Sequence, residues 1–463
     1  MFKICRFALA AAALAAAFAA CGQARVRIPT AKTPYDIGAD FDRAEAWAQS
    51  GTAFVEAHEG NYFRFLEKGK TDAANAIHEG NVNFHGLDIY ETRIWFGESS
   101  VTRIELSLYN KGDAGSPLQA AGLLEMLKTV RGRLNGDAAR PPAPESVNVG
   151  NGVQQKTITW KDRAPAAAQL TWRYKKSGKE VDVDFVRLTL LNASAGQSAL
   201  KSALAKKKES QGRGAVRKNV VRVTADGEGR KSGDVYISNV PMVDQGQKGY
   251  CAVATSERVL RYYGQTVDEH ELGASAGSTA DGGTSSVAMY EAVRAIGRKH
   301  GLAAYVVHGG MNKDIGDRVE LLEKDVASYN KMAKKMRKPE IARSAYVRGH
   351  TFDANAAREA MEADVLKAMK LKSPKYKTFR KALHDQVNAG VPLFWGVTLG
   401  LFPEPDIPQA SGGHMRLIIG FNDKSNEVIY TDSWGAGHEY KRMPFDDAWA
   451  ITDTLLYLKP SRE

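Results

Sequence analysis

The sequence predicts an α+β protein built in two parts, and three observations carry that expectation. Apolar and polar residues alternate in short runs, among them Ile104, Leu106 and Leu108, and further strand-like segments recur at 392–398, 415–421 and 427–432. Between them lie helical stretches with apolar residues three and four apart, such as Val319, Leu322, Val326, Tyr329, Ala333 and Met336. A basic, Ser/Gly/Ala-rich stretch separates the halves, with ten Lys and Arg against four acids between Ala193 and Asp234. The expected organisation is a targeting segment at 1–21, a tether at 22–35, an α+β domain at 36–192 and a flexible basic linker at 193–234. A second domain follows at 235–463, with a helical insertion at 311–375.

At the N-terminus, Lys3 and Arg6 precede an apolar run from Phe7 to Ala20. The run is shorter than the ~20 residues that a membrane span needs and has the length of a secretory signal core. It ends in Phe18-Ala19-Ala20-Cys21-Gly22, which resembles the bacterial lipobox. That resemblance implies lipid modification of Cys21 and a chain anchored in the cell envelope, on the periplasmic or cell-surface side. The alternative is an ordinary signal peptide cleaved near Cys21, which releases the chain as a secreted protein.

In residues 36–192, Asp40 is expected to cap a helix with Phe41, Ala44, Ala48 and Val55 on one face, continued by Phe63 and Leu66. Strands are expected around 87–96 and 104–108. A helix should run from Leu118 to Leu134, closed by Asn135-Gly136, and strands follow at 154–160, 169–175 and 181–190. This half holds no His/Asp/Glu cluster at ligand spacing and no phosphate-cradling glycine loop, so the sequence assigns it no role. The net charge of +11 falls by two when Lys3 and Arg6 leave with the signal. No aromatic residue interleaves the basic stretch before Tyr236 as single-strand stacking requires, so no nucleic-acid partner is expected. The ten histidines are scattered, and neither a metal nor another cofactor is expected.

The cysteine count is the sharpest signal. Cys5 lies in the signal and Cys21 at its end, so Cys251 is alone in the mature body. An unpaired thiol in an exported and often oxidising compartment is a liability unless it has a use. Cys251 opens an expected helix that runs to Tyr263 and stops at Gly264, and a helix N-terminus favours the thiolate form. Further helices are expected at 285–300 and from an Asp353 cap through Met369, with strands at 302–307 and 455–458.

The string VDQGQKGYCAVAT, with Gln245 six residues before Cys251, resembles the active-site segment of papain-like cysteine peptidases. SGGHMRLIIGFN and TDSWG resemble the same family's histidine strand and its Asn/Asp-Ser-Trp-Gly turn. The resemblance implies a helix carrying Cys251 and an antiparallel sheet carrying His414 and Asp432. It makes Cys251 the nucleophile, His414 the base, Asp432 its orienting partner and Gln245 an oxyanion donor, with Trp434 shielding the His–Asp contact. Asn239-Val240-Pro241, Gly283-Thr284-Ser285 and Asn388-Ala389-Gly390-Val391-Pro392 are similar to the bacteriocin-processing, double-glycine-leader branch, with Ala252 where glycine commonly follows the nucleophile. The implied function is an exported, lipid-anchored thiol peptidase acting on protein or peptide. The alternatives are an acyl-transfer or amidase enzyme on the same residues, a catalytically silent lipid-anchored binding protein, and a zymogen whose N-terminal half occludes the cleft. His308 is expected to be structural, and Asp244 and Lys248 to be solvated loop charges.

Overall fold

A computed structural model describes residues 33–58, 62–76, 80–111, 117–135, 142–150, 152–177, 180–193, 219–227, 229–245, 250–265, 272–273, 286–309, 315–348, 351–409 and 411–460. The signal, Cys21, Lys248 and the Gly283–Ser285 segment lie outside them, as do Gly60, Gly136 and 194–218 of the expected linker. Among the described residues no helix is long and apolar enough to cross a membrane.

An eight-stranded antiparallel sheet organises the N-terminal half. Its spatial order is Phe63–Phe65, Ala73–Ala76, Glu91–Phe96, Val101–Asn110, Glu180–Asn192, Ala166–Ser177, Val153–Trp160, Glu145–Gly150. The helix Ala120–Asn135 packs on it through Leu123, Leu127, Val130 and Leu134, one stripe at helical spacing. Three expectations fail here. No helix is capped by Asp40: three short helices, Ile37–Phe41, Ala44–Trp47 and Gly51–Ala57, replace it. Asp36 and Ser50 supply the caps, and Trp47 Nε1 donates to Phe41 O at 2.9 Å, turning the chain so that Phe41, Trp47 and Phe54 meet. Phe63 and Leu66 do not extend a helix, since Phe63–Phe65 is a strand. Tyr35, expected at the end of the tether, begins the short strand Tyr35–Asp36 beside Val82–Phe84.

The C-terminal sheet is also antiparallel, in the order Val220–Arg222, Asp234–Ile237, Gly412–Asn422, Leu393–Leu399, Thr452–Pro460, Leu302–His308. Glu427–Thr431 pairs with Gly412–Asn422, and Lys441–Pro444 lies beyond it. The strand Leu393–Leu399 is buried at every position, which is why it reads as a continuous apolar run. The helices Cys251–Tyr262 and Lys375–Asn388 pack on Gly412–Asn422. Gly264, with φ +81, ends the first of them. Val220–Arg222, expected in the flexible linker, is instead an edge strand paired with Val235–Ile237. Asp234 is buried there, accepting from Asn422 Nδ2 at 2.7 Å and Tyr440 Oη at 2.8 Å.

A third apolar cluster joins the long helix Ile315–Met336 to Ala354–Glu359 and Ala363–Leu371. One helix was expected from Asp353 to Met369. Asp353 does cap its start, accepting from Ala356 N at 3.1 Å. Glu362 then turns extended, its N–H donating to Tyr329 Oη at 2.9 Å and its carboxylate held by Lys338 at 2.6 Å. Tyr329 on the neighbouring helix and Lys338 just beyond its end thus break the run. Helices Lys375–Asn388 and Phe445–Ile451 were not expected from the sequence.

Gly420 brings two strands to their closest approach. A Cβ at this position would lie 2.6 Å from both Val235 O and Tyr236 Cβ, whereas one at Gly413 would meet nothing. Gly420→Ala should therefore lower stability by about 1–3 kcal/mol through backbone displacement. Gly413→Ala should stay within about 0.5 kcal/mol of wild type, both read by thermal denaturation.

Candidate active site

Cys251 is the first residue of its helix and is partly exposed. Tyr250, the residue before it, provides no side-chain cap, so the first N–H groups of the helix are left to polarise the thiol's surroundings. His414 lies on the strand Gly412–Asn422. Leu417 faces Thr431 across the hairpin, so the next step outward brings Asp432 level with Arg416 and diagonal to His414. His414 Nε2 lies 3.0 Å from Asp432 Oδ1, and both side chains are fully buried. Nδ1, the other ring nitrogen, is buried without a conventional hydrogen bond among the described residues. Trp434 stacks on the imidazole, 4.1 Å between centroids and 8° from parallel.

Gln245 is buried and tied to the turn after Asp432. Its N–H donates to Ser433 O at 2.8 Å, and Ser433 Oγ donates to its Oε1 at 2.7 Å. The second bond holds one end of the Gln245 amide at the turn. Residues 246–249, between Gln245 and Tyr250, lie outside the described set.

Two arginines that the sequence reading passed over complete the arrangement. Arg416 is buried, its Nε donating to Asp432 Oδ1 at 2.9 Å and its Nη1 to Glu404 Oε2 at 2.9 Å. Tyr430 Oη donates to the same Glu404 oxygen at 2.6 Å, and the guanidinium lies over the Tyr430 ring. Strand alternation could have revealed it, because residues two apart share a face and Arg416 is two beyond His414. Arg258, also buried, donates to Pro241 O, Asp432 O and Thr431 Oγ1, each at 2.7 Å. It sits two helical turns beyond Cys251 and clamps the cysteine's helix to the strand end that carries Asp432.

Asp244 is not a solvated charge: it is buried and accepts from Arg64 Nη2 at 2.6 Å. His308 packs on Trp449 at 4.8 Å, away from any acid-Ser-Trp turn. Burial, with Lys370 and Lys375 nearby, holds its pKa down to about 4, so it is neutral at pH 7. Among the described residues, no group of three or more His, Cys, Asp or Glu side chains is arranged to hold a metal.

Residues 319–456 match the model of the Peptidase_C39 like family. This segment is C39-like, which supports a cysteine peptidase of the papain-like kind. The match contains His414, Asp432 and Trp434 and begins downstream of Gln245 and Cys251. It starts inside the stretch expected to be an insertion. No curated protein matches the chain.

The electrostatics of the C39-like segment and the Cys251 helix point one way. Burial pushes the Cys251 thiol up, but His414 and the backbone N–H groups of Met415 and Ala252 outweigh it, and the net shift is downward. Burial pushes His414 down, but Asp432 and Cys251 outweigh it, and the net shift is upward. Together these favour a thiolate beside an imidazolium. Burial alone would raise the Asp432 carboxyl, yet Arg416 and His414 hold it far below the usual carboxylate range.

Removing Arg416 would strand two buried carboxylates. Arg416→Met should cost about 3–5 kcal/mol in denaturant unfolding. The lowered Asp432 pKa also fixes a sign. Near pH 4 the unfolded chain takes up a proton that folded Asp432 does not, so this stabilisation is full above pH 4 and is lost as pH falls below it. The acid limb of the melting temperature, from pH 4 down to pH 2, should be shallower for Asp432→Asn than for wild type. Equal slopes would mean that Asp432 is not held ionised.

Proposed function

We propose that the chain is an exported, lipid-anchored thiol peptidase that hydrolyses peptide bonds with Cys251, His414, Asp432 and Gln245. One observation carries the reading: a buried imidazole is held by Asp432 at one nitrogen and faces a partly exposed, helix-opening cysteine. Envelope localisation rests on the apolar run Phe7–Ala20 and on Cys21.

The Cys251 thiolate attacks the scissile carbonyl carbon, forming the C–S bond and placing negative charge on the carbonyl oxygen. The Gln245 amide NH2 and the Cys251 backbone N–H donate to that oxygen. Imidazolium His414 gives its proton to the leaving nitrogen as the C–N bond breaks, leaving a thioester. His414 then takes a proton from water, whose oxygen attacks the thioester carbon, and loss of the C–S bond regenerates the thiolate. Asp432 orients the ring, and Trp434 covers one face of it against water. Ser433 supports the oxyanion role, because its hydroxyl and carbonyl seat Gln245 against the turn that follows Asp432.

Two measurements test this on the mature chain with denatured protein as substrate. Iodoacetamide should label Cys251 well below pH 7, whereas an ordinary cysteine has a pKa of about 8.5, and turnover should fall in 1:1 proportion to labelling. Labelling that requires denaturant would remove Cys251 from the chemistry. Gln245→Ala should lower turnover roughly 100- to 1,000-fold while the alkylation rate stays near wild type. Normal turnover in that variant would exclude the amide from the site.

A further inference from the structure

Among the described residues, three strands and a turn of the N-terminal sheet reach the loops and the helix that carry the candidate site. Arg64, on Phe63–Phe65, donates from Nη2 to Asp244 Oδ2 at 2.6 Å. Asn110, the last residue of Val101–Asn110, donates from Nδ2 to Tyr250 Oη at 3.2 Å. Arg93, on Glu91–Phe96, has Nη1 3.8 Å from Glu257 Oε1, and the Lys68 N–H donates to Glu439 Oε1 at 2.6 Å. The targets are not scattered. Asp244 precedes Gln245, Tyr250 precedes Cys251, Glu257 is on the Cys251 helix, and Glu439 follows the turn that holds Trp434.

Asp244 is the most exacting of these. Its side chain is 3% exposed against 40% for Arg64, so the carboxylate leaves water and Arg64 meets it with a cation. Beside the same oxygen stands Gly435, with φ +77, where a Cβ would lie 2.6 Å from Asp244 Oδ2 and 3.7 Å from Arg64 Nη2. Asp244 thus meets the N-terminal sheet and the backbone of the Ser433–Gly435 turn through one oxygen. Gln245 is the next residue in the chain, so a shift of Asp244 strains the two bonds, main chain and side chain, that seat Gln245 on Ser433.

We propose that the N-terminal sheet is a constitutive part of the catalytic unit, in which Arg64 is a positioning residue that sets Gln245 through Asp244. The sheet is then a buttress and not a prosegment whose departure opens the site. The proposal rests on the peptidase reading and extends it to the half of the chain to which the sequence assigned no role.

Its test is kinetic. A displacement of about 1 Å at a catalytic group can cost ~100-fold in rate. Arg64→Met in the full mature chain should therefore lower kcat roughly 10- to 100-fold while KM changes by less than about threefold. Cys251 alkylation should keep the wild-type rate, because Arg64 touches neither His414 nor Asp432. Arg64→Lys should restore most of the turnover, and Asp244→Asn should add little loss on top of Arg64→Met, since the two act as one pair. In a second arm, a specific protease site is inserted between residues 194 and 218. The cut chain should keep its turnover, and its two pieces should co-elute on gel filtration. Wild-type kcat in Arg64→Met, equal slowing of turnover and alkylation, or a rise in turnover as the N-terminal piece separates would each overturn the proposal. If wild type itself shows no Cys251-dependent turnover, the peptidase reading falls and takes the proposal with it. Active wild type with an unaffected Arg64→Met refutes the proposal alone.

Discussion

A carboxylate buried out of water is costly unless cations and donors meet it, and in this protein that carboxylate is Asp432. Its Oδ1 is shared by His414 and Arg416, and Arg416 is in turn shared with Glu404. The arrangement requires a hairpin register that brings residues 414, 416 and 432 to one face, and a slip of one residue would turn Asp432 away from the other two. Register, buried charge and imidazole orientation are therefore one constraint. The fully buried strand Leu393–Leu399 holds the hairpin from the other side, pairing Val397 with His414 and Trp395 with Arg416.

The five residues Thr431–Gly435 spread that constraint outward. The Thr431 hydroxyl and the Asp432 carbonyl receive Arg258, which fastens the Cys251 helix. Ser433 holds Gln245, Trp434 covers His414, and Gly435 makes room for Asp244. A short turn thus touches each element of the candidate site. Only glycine accepts φ +77 at its end without strain and leaves space for the Asp244 carboxylate.

The remainder of the chain is built around that hub to different degrees. The helices of 315–371 form an apolar cluster of their own and reach the sheet through Lys370, whose Nζ donates to Thr452 O and whose carbonyl accepts from Trp449 Nε1 at 2.9 Å. Burial lowers the Lys370 pKa to about 7, so its charge is marginal at neutral pH, and the carbonyls at the end of helix Phe445–Ile451 are its fixed partners. The N-terminal sheet instead meets the site loops with basic side chains and donors set against Asp244, Glu257 and Glu439.

Local pattern was enough for much of this. Alternation and 3/4 spacing marked most of the longer strands of both sheets and the helices that start at Cys251 and end at Asn135, because each buries one face at a regular period; the short strands Phe63–Phe65, Ala73–Ala76, Val220–Arg222 and Lys441–Pro444 went unmarked. The spacing of Gln245, Cys251, His414 and Asp432 is likewise written in the chain, with eighteen residues between the last two matching a hairpin. Local pattern misled where distant partners overrode it. Trp47 folded one expected helix into three, Tyr329 broke another at Glu362, and Asn422 and Tyr440 drew Asp234 from an expected linker into the sheet. Arg416, Arg258 and Arg64 escaped notice for the same reason. A lone arginine reads as surface charge, and only the tertiary fold decides that its partner is a carboxylate or carbonyl brought from elsewhere in the chain and closed off from water.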